Sequence, residues 1–103
     1  MGRIRTVKPE FWLNEELAGV SPEACLLAIG LLNYSDDHGY FRAHPALIQA
    51  AVFPIRDLSN NIPILIQELS KIGYIEIFMG SDEKEYGHVI KFDSHQRGDK
   101  AKS

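Results

Sequence analysis

An α+β fold is predicted for this chain, on three observations: helix start signals that pair a capping residue with proline, a helical stripe that ends in glycine, and two β-prone segments beyond it. The 103 residues, 45% hydrophobic and 24% charged, suit one compact soluble domain and are too few for two cores of ordinary size. The first twenty residues, which close with "TVKPEFWLNEELAGV" from Thr6 to Val20, read as an irregular N-terminal arm. It ends in a short helix carrying Leu13, Leu17 and Val20. Phe11 and Trp12 stand side by side within it and need apolar cover, from the domain itself or from a partner subunit.

The next helix is predicted from Ser21 to about Tyr34, with Ser21 as N-cap, Pro22 in the first turn and Glu23 behind it. The run from Ala24 to Leu32 leaves it almost no polar face, so it is expected at the centre with neighbours on several sides. Gly30 weakens a helix by about 1 kcal/mol relative to Ala, a cost expected where another backbone packs close. Asp36, Asp37, His38 and Gly39 make a turn, and Tyr40 to Arg42 a short strand. "HPALIQAAVFP" has His44 as cap, Pro45 in the first turn and Pro54 beyond the end. Leu47, Ile48, Ala51 and Val52 are expected to face inward.

In "NNIPILIQELSKIGYIEIF", Ile62, Leu65, Ile66, Leu69 and Ile72 form one helical stripe beginning near Asn60 or Asn61, with Gly73 as the stop. Tyr74 to Met79 and His88 to Phe92 then read as two strands joined by the exposed loop "GSDEKEYG". The domain proper is predicted over residues 21–96, with a disordered tail or linker stub over 97–103. The order of arm, helix, strand, helix, helix and two strands is that of a winged helix-turn-helix, with three core helices and a small antiparallel hairpin as wing.

Function classes narrow in the same way. The longest nearly apolar run has nine residues, far below the roughly 20 that cross a bilayer, and no secretory signal is present. No membrane partner and a cytoplasmic location are expected. The single cysteine, Cys25, lies within the apolar run and reads as a small buried hydrophobe. The four histidines match no zinc spacing, so no metal or other cofactor is expected. Neither a nucleophile elbow nor a phosphate-binding glycine loop is present, so the chain is not expected to be an enzyme.

The net charge of -3 argues against nucleic-acid binding by bulk electrostatics. The distribution is uneven, however: Arg3, Arg5 and Lys8 make the arm basic, whereas Asp82, Glu83 and Glu85 make the hairpin loop acidic. An arm of this kind can track a groove or backbone, and the acidic loop would be repelled by phosphate. With its stripe facing inward, the helix before the hairpin presents Asn60, Asn61, Ile64, Gln67 and Lys71, flanked by Pro63 and Glu68. Asn and Gln can pair with adenine edges and Lys71 can meet a phosphate or guanine. Ile64 and Glu68 suit a protein contact equally. Arg42 and Arg56 stand at element edges as further candidate phosphate contacts. Tyr40 and Trp12 are read as core or interface residues, since no basic, aromatic-lined sheet is evident to make them stacking platforms.

"RIRTVKPEFW", "SPEACLLAIGLLNYSDDHGYFR", "IQELSKIGYI" and the closing "IKFDSHQ" resemble the N-terminal domain of phage and prophage replication proteins. These are the replisome organisers, loosely related to DnaD-like primosomal proteins. The resemblance spans about nine tenths of the chain in order. It implies a winged helix acting in replication initiation or primosome assembly, in the cytoplasm of a bacterial host. It also implies a variable C-terminal region that contacts the replicative helicase or its loader, so the end after "SHQRGDKAKS" is expected of an N-terminal domain or an unusually short member. In related primosomal proteins the winged helix serves oligomerisation as well as DNA contact. Two readings follow: a DNA-binding module using Arg3, Arg5, Lys8, Arg42, Asn60, Asn61, Gln67 and Lys71, or a homo-oligomerising or protein-docking module using Phe11, Trp12, Ile64 and the acidic hairpin.

Overall fold

In the computed structural model, residues 5–57 and 61–93 are described; Arg3, Asn60, the closing "SHQ" and the tail over 97–103 lie outside them. Five helices and a small three-stranded antiparallel sheet make an α+β fold. The helices are α1 (Pro9–Trp12), α2 (Glu15–Ala18), α3 (Pro22–Tyr34), α4 (Pro45–Val52) and α5 (Ile62–Lys71). The strands are β1 (Tyr40–Arg42), β2 (Ile75–Met79) and β3 (Glu85–Val89). Among the described residues no helix is long and apolar enough to cross a membrane.

The predicted caps are formed. Ser21 Oγ accepts from the Ala24 amide at 3.1 Å, and His44 Nδ1 accepts from the Ala46 amide at 3.2 Å. Each satisfies a donor that the first turn leaves without an intrahelical partner. The arm differs from the single short helix expected. Pro9 opens one turn, α1, and Asn14 opens another, its side chain accepting from the amides of Glu16 at 2.9 Å and Leu17 at 3.1 Å. That restart turns Leu13 outward, where it is 79% exposed, and keeps Leu17 in the core.

Helix α3 runs through the middle of the helical layer, with Ala24, Leu27, Ala28, Leu31 and Leu32 buried against α4 and α5. At Gly30 the close neighbour is a side chain, not the backbone expected: Val52 of α4 occupies the space a Cβ would need. Helix α4 buries Ile48 and half-buries Val52, while Leu47 and Ala51, expected inward, face out. Its C-terminal end is pinned instead by Gln49, whose side-chain amide donates to the carbonyls of Phe53 and Arg56, and Phe53 completes the inward edge.

Helix α5 buries Ile62, Leu65 and Leu69, as the stripe predicts, and ends at Gly73, whose φ of 80° belongs to the left-handed region that closes helices cheaply only with glycine. The chain then enters β2 directly. Strand β3 lies between β1 and β2, with Phe41 opposite Gly87 and Ile77 opposite the same residue. It begins three residues before the predicted start at His88 and ends three before Phe92. The turn explains the shift: Gly80 N–H donates to the Lys84 carbonyl at 2.8 Å and Glu83 N–H to the Gly80 carbonyl at 2.9 Å. The loop is thereby closed early, Glu85 pairs with Met79 of β2, and Tyr86 and Gly87 become ladder residues paired on both sides. Residues after Val89 turn away at Lys91, φ 61°, and Phe92 packs back on the core.

Candidate nucleic-acid interface

The solvent side of α5 carries Asn61, Pro63, Ile64, Gln67, Ser70 and Lys71, all exposed. Asn61 occupies the N-cap position in helical geometry and makes no side-chain capping bond. Glu68 does not belong to this face. Its carboxylate reaches the start of α3, accepting from the Ser21 amide at 2.8 Å and the Ser21 hydroxyl at 3.0 Å. A carboxylate at a helix N-terminus is favoured by the axial dipole and by the donors left over there. The acidic residue of α5 is thus spent on tying α5 to α3, and Lys71 is the charge left on the outer face, near the helix C-terminus.

The basic arm is arranged differently from the free cationic strand expected. Arg5 has a side chain only 13% exposed, with Nη2 3.5 Å from the Asp37 carboxylate. The same nitrogen donates to the carbonyls of Ser35 at 3.3 Å and Asp36 at 3.4 Å, and the guanidinium lies 5.4 Å from the Phe92 ring centroid. Arg5 therefore staples the arm to the turn after α3. Lys8 is half-buried at the N-cap of α1, where its carbonyl accepts from the Phe11 amide at 2.9 Å. The turn itself is held by Asp36, which accepts from the amides of His38 and Tyr40, each at 2.9 Å. Burial works against the Asp36 carboxylate, and the Tyr40 and His38 amides outweigh it, holding its pKa below the usual range.

Of the three candidate protein contacts, Phe11 is corrected to a core residue. It is 6% exposed and meets Trp12 and Tyr74 edge-on, with centroids 5.0 and 6.5 Å away. One turn cannot bury two adjacent aromatics on the same side, so covering Phe11 leaves Trp12 65% exposed. Ile64, at 58%, is exposed on α5.

Arg42 stands half-buried at the end of β1, its guanidinium 5.7 Å from the Tyr86 ring centroid and its buried Nε without a hydrogen-bond partner. Burial pushes the nearby Tyr34 hydroxyl pKa up, and the Arg42 charge partly opposes this. Around Arg42 the sheet is lined with aromatics, although it lacks the run of basic residues that a stacking platform for nucleic acid was expected to need. Tyr40, Phe78, Tyr86 and His88 share the outward face, because Tyr40 pairs with His88 and Phe78 with Tyr86 in register. The signal was present as aromatics two residues apart from polar or charged partners, in Tyr40-Phe41-Arg42 and Tyr86-Gly87-His88. It was obscured by placing Tyr86 in the loop.

Comparison with protein-family models, with curated proteins and with solved structures returns no match for this chain.

Proposed function

We propose that this chain is a winged helix-turn-helix domain of the replication-initiation type, which contacts duplex DNA through the outer face of α5 during primosome assembly. The observation that carries the reading is the path of the chain. The order α3, β1, α4, α5, β2, β3, with β3 between its two partners, sets a helix pair before a hairpin and leaves the polar side of α5 outward. Asn61 and Gln67 are the side chains able to pair bidentately with adenine, and Lys71 meets a phosphate. Glu68, the residue on this helix that phosphate would repel, is drawn off to Ser21. Arg5 is left out of the reading because its guanidinium is engaged within the fold.

So few free cations make the affinity modest and its salt dependence shallow, with a slope of about -1 to -2 in log K against log salt for one or two neutralised phosphates. Fluorescence anisotropy with labelled duplex and single-stranded DNA, at low and moderate salt, tests this directly. Duplex binding that weakens with salt and is lost in Gln67→Ala/Lys71→Ala supports the reading. Absence of binding at low salt, or a variant that binds as well as the parent, overturns it.

The exposure of Trp12, Leu13 and Ile64 favours a second reading, a homo-oligomerising or protein-docking module serving a helicase or its loader. Its mark is self-association that resists salt and falls in Trp12→Ala, measured by sedimentation velocity.

A further inference from the structure

The outward face of the sheet carries chemistry that DNA contact through α5 leaves unused. Tyr40 and Phe78 meet edge-on with centroids 6.1 Å apart and planes at 89°. Phe78 and Tyr86 stack at 6.1 Å and 23°, and Tyr40 stacks on His88 at 4.3 Å and 28°. Beside these rings lies an open depression of about 410 Å³, bounded by Tyr40, Phe78, Tyr86 and the turn residues Gly80, Ser81 and Asp82. Tyr40 and Phe78 are both exposed, so apolar ring area faces water here without a core to cover it.

Charge selects the occupant. Between residues 75 and 89 the chain has four carboxylates, Glu76, Asp82, Glu83 and Glu85, against one lysine, Lys84, and with Arg42 of β1 added on the same face the balance is still negative. A phosphate backbone is repelled by that surface, which disfavours single-stranded nucleic acid stacking its bases on the rings. A cation is drawn to it. Ring faces carry the negative part of the aromatic quadrupole, and Asp82 supplies a full charge at the edge of the depression. We propose that this depression receives an arginine side chain from a basic segment of a partner protein.

A guanidinium fits the site better than an ammonium for two reasons. It is planar and stacks on aromatic faces, and its forked donors match a carboxylate. The Asp82 carboxylate has room for such a fork: Oδ2 accepts from the Tyr86 hydroxyl at 2.7 Å and Oδ1 from the Lys84 amide at 3.1 Å. Those two bonds leave about half of its lone-pair sites open. They also orient the carboxylate toward the rings, since Tyr86 is both its donor and a wall of the depression. Arg42 does not line the depression, but its guanidinium lies 5.7 Å from the Tyr86 ring centroid, so the rings left for an incoming guanidinium are Tyr40 and Phe78. None of the six lining residues belongs to the α5 face, so this inference stands or falls independently of DNA binding.

The test uses the full chain and a fluorescein-labelled peptide of alternating arginine and glycine. Versions with lysine or citrulline in place of arginine, and an oligothymidylate, serve as comparisons. Anisotropy gives the affinities and amide chemical shifts locate the contact. The arginine peptide is expected to move the resonances of Tyr40, Phe78, Ser81, Asp82 and Tyr86, with the lysine version about threefold to tenfold weaker and the citrulline version silent. Asp82→Asn and Phe78→Ala are each expected to weaken the arginine peptide about fivefold or more. Tyr40→Ala is the second exposed-ring variant should Phe78→Ala disturb the remaining spectrum. Equal affinity for lysine and arginine peptides means bulk charge alone and overturns the proposal. So do unchanged binding in Asp82→Asn, shifts located elsewhere, or tighter binding of oligothymidylate to the same face.

Discussion

Replacing Glu68 by alanine removes the carboxylate that ties the outward helix α5 to the start of the central helix α3. The parent carboxylate accepts two hydrogen bonds from Ser21, at 2.8 and 3.0 Å. Bonds to a charged acceptor contribute about 1.5 to 3 kcal/mol each when fully protected. Ser21 and Glu68 are only half-buried, so water replaces part of what is lost. The favourable field of the carboxylate at the α3 N-terminus, about 0.3 to 1 kcal/mol, goes as well. We expect a net loss of about 1 to 2 kcal/mol, and a fall in Tm of about 4 °C or more for each kcal/mol in a domain of this size. Glu68→Gln keeps one acceptor oxygen and loses the charge, so it should fall between parent and alanine variant. Chemical denaturation of the parent, Glu68→Ala, Ser21→Ala and the double variant gives the coupling energy. Because Ser21→Ala leaves the amide bond to Glu68 in place, the coupling reports the hydroxyl bond. A coupling within the additivity error of about 0.3 to 0.5 kcal/mol, together with a Glu68→Ala loss no larger than that, would show that the contact does not hold the helices together and would refute the argument.

Three further outcomes are expected. Gly30→Ala gains helix propensity of about 1 kcal/mol but drives a methyl into Val52, and overpacking costs about 1 to 3 kcal/mol. It should therefore destabilise in urea melts and be relieved when Val52→Ala is added. Tyr74 donates its hydroxyl to the Ala28 carbonyl at 3.0 Å, and burial pushes its pKa well above the ordinary tyrosine value. Because the folded state holds that proton more tightly than the unfolded chain, the associated stability is present below pH 10 and is lost as pH rises beyond it. Tyr74→Phe should cost about 1 kcal/mol at neutral pH and flatten the alkaline fall in stability. The Tyr86 hydroxyl, and after it the Lys84 amide, hold the Asp82 carboxyl below the usual range. In a carbon-detected NMR titration, Tyr86→Phe should move that titration up towards the ordinary aspartate value, and an unchanged midpoint would mean the hydroxyl contact is not formed in solution.

What the sequence by itself determined is the part of the structure that local chemistry decides. Ser21 with Pro22 and His44 with Pro45 start helices, because a cap and its amide lie two or three residues apart. The stripe Ile62, Leu65 and Leu69 and the stop at Gly73 fix α5 and its polar side in the same way. The tertiary structure alone decided the partners of the charged residues. Arg5 meets Ser35, Asp36 and Asp37 some thirty residues along the chain, and Glu68 meets Ser21 forty-seven residues back. No periodicity encodes such pairs. They engaged Arg5 of the expected DNA-seeking arm within the fold and drew the Glu68 carboxylate off the outer face of α5. Strand register was equally out of reach: the hydrogen bonds that close the turn between Gly80 and Lys84 begin β3 at Glu85, which sets Tyr86 beside Phe78 and His88 beside Tyr40. Because side chains alternate across a sheet, that placement of the turn is what gathered four rings scattered between residues 40 and 88 onto one face.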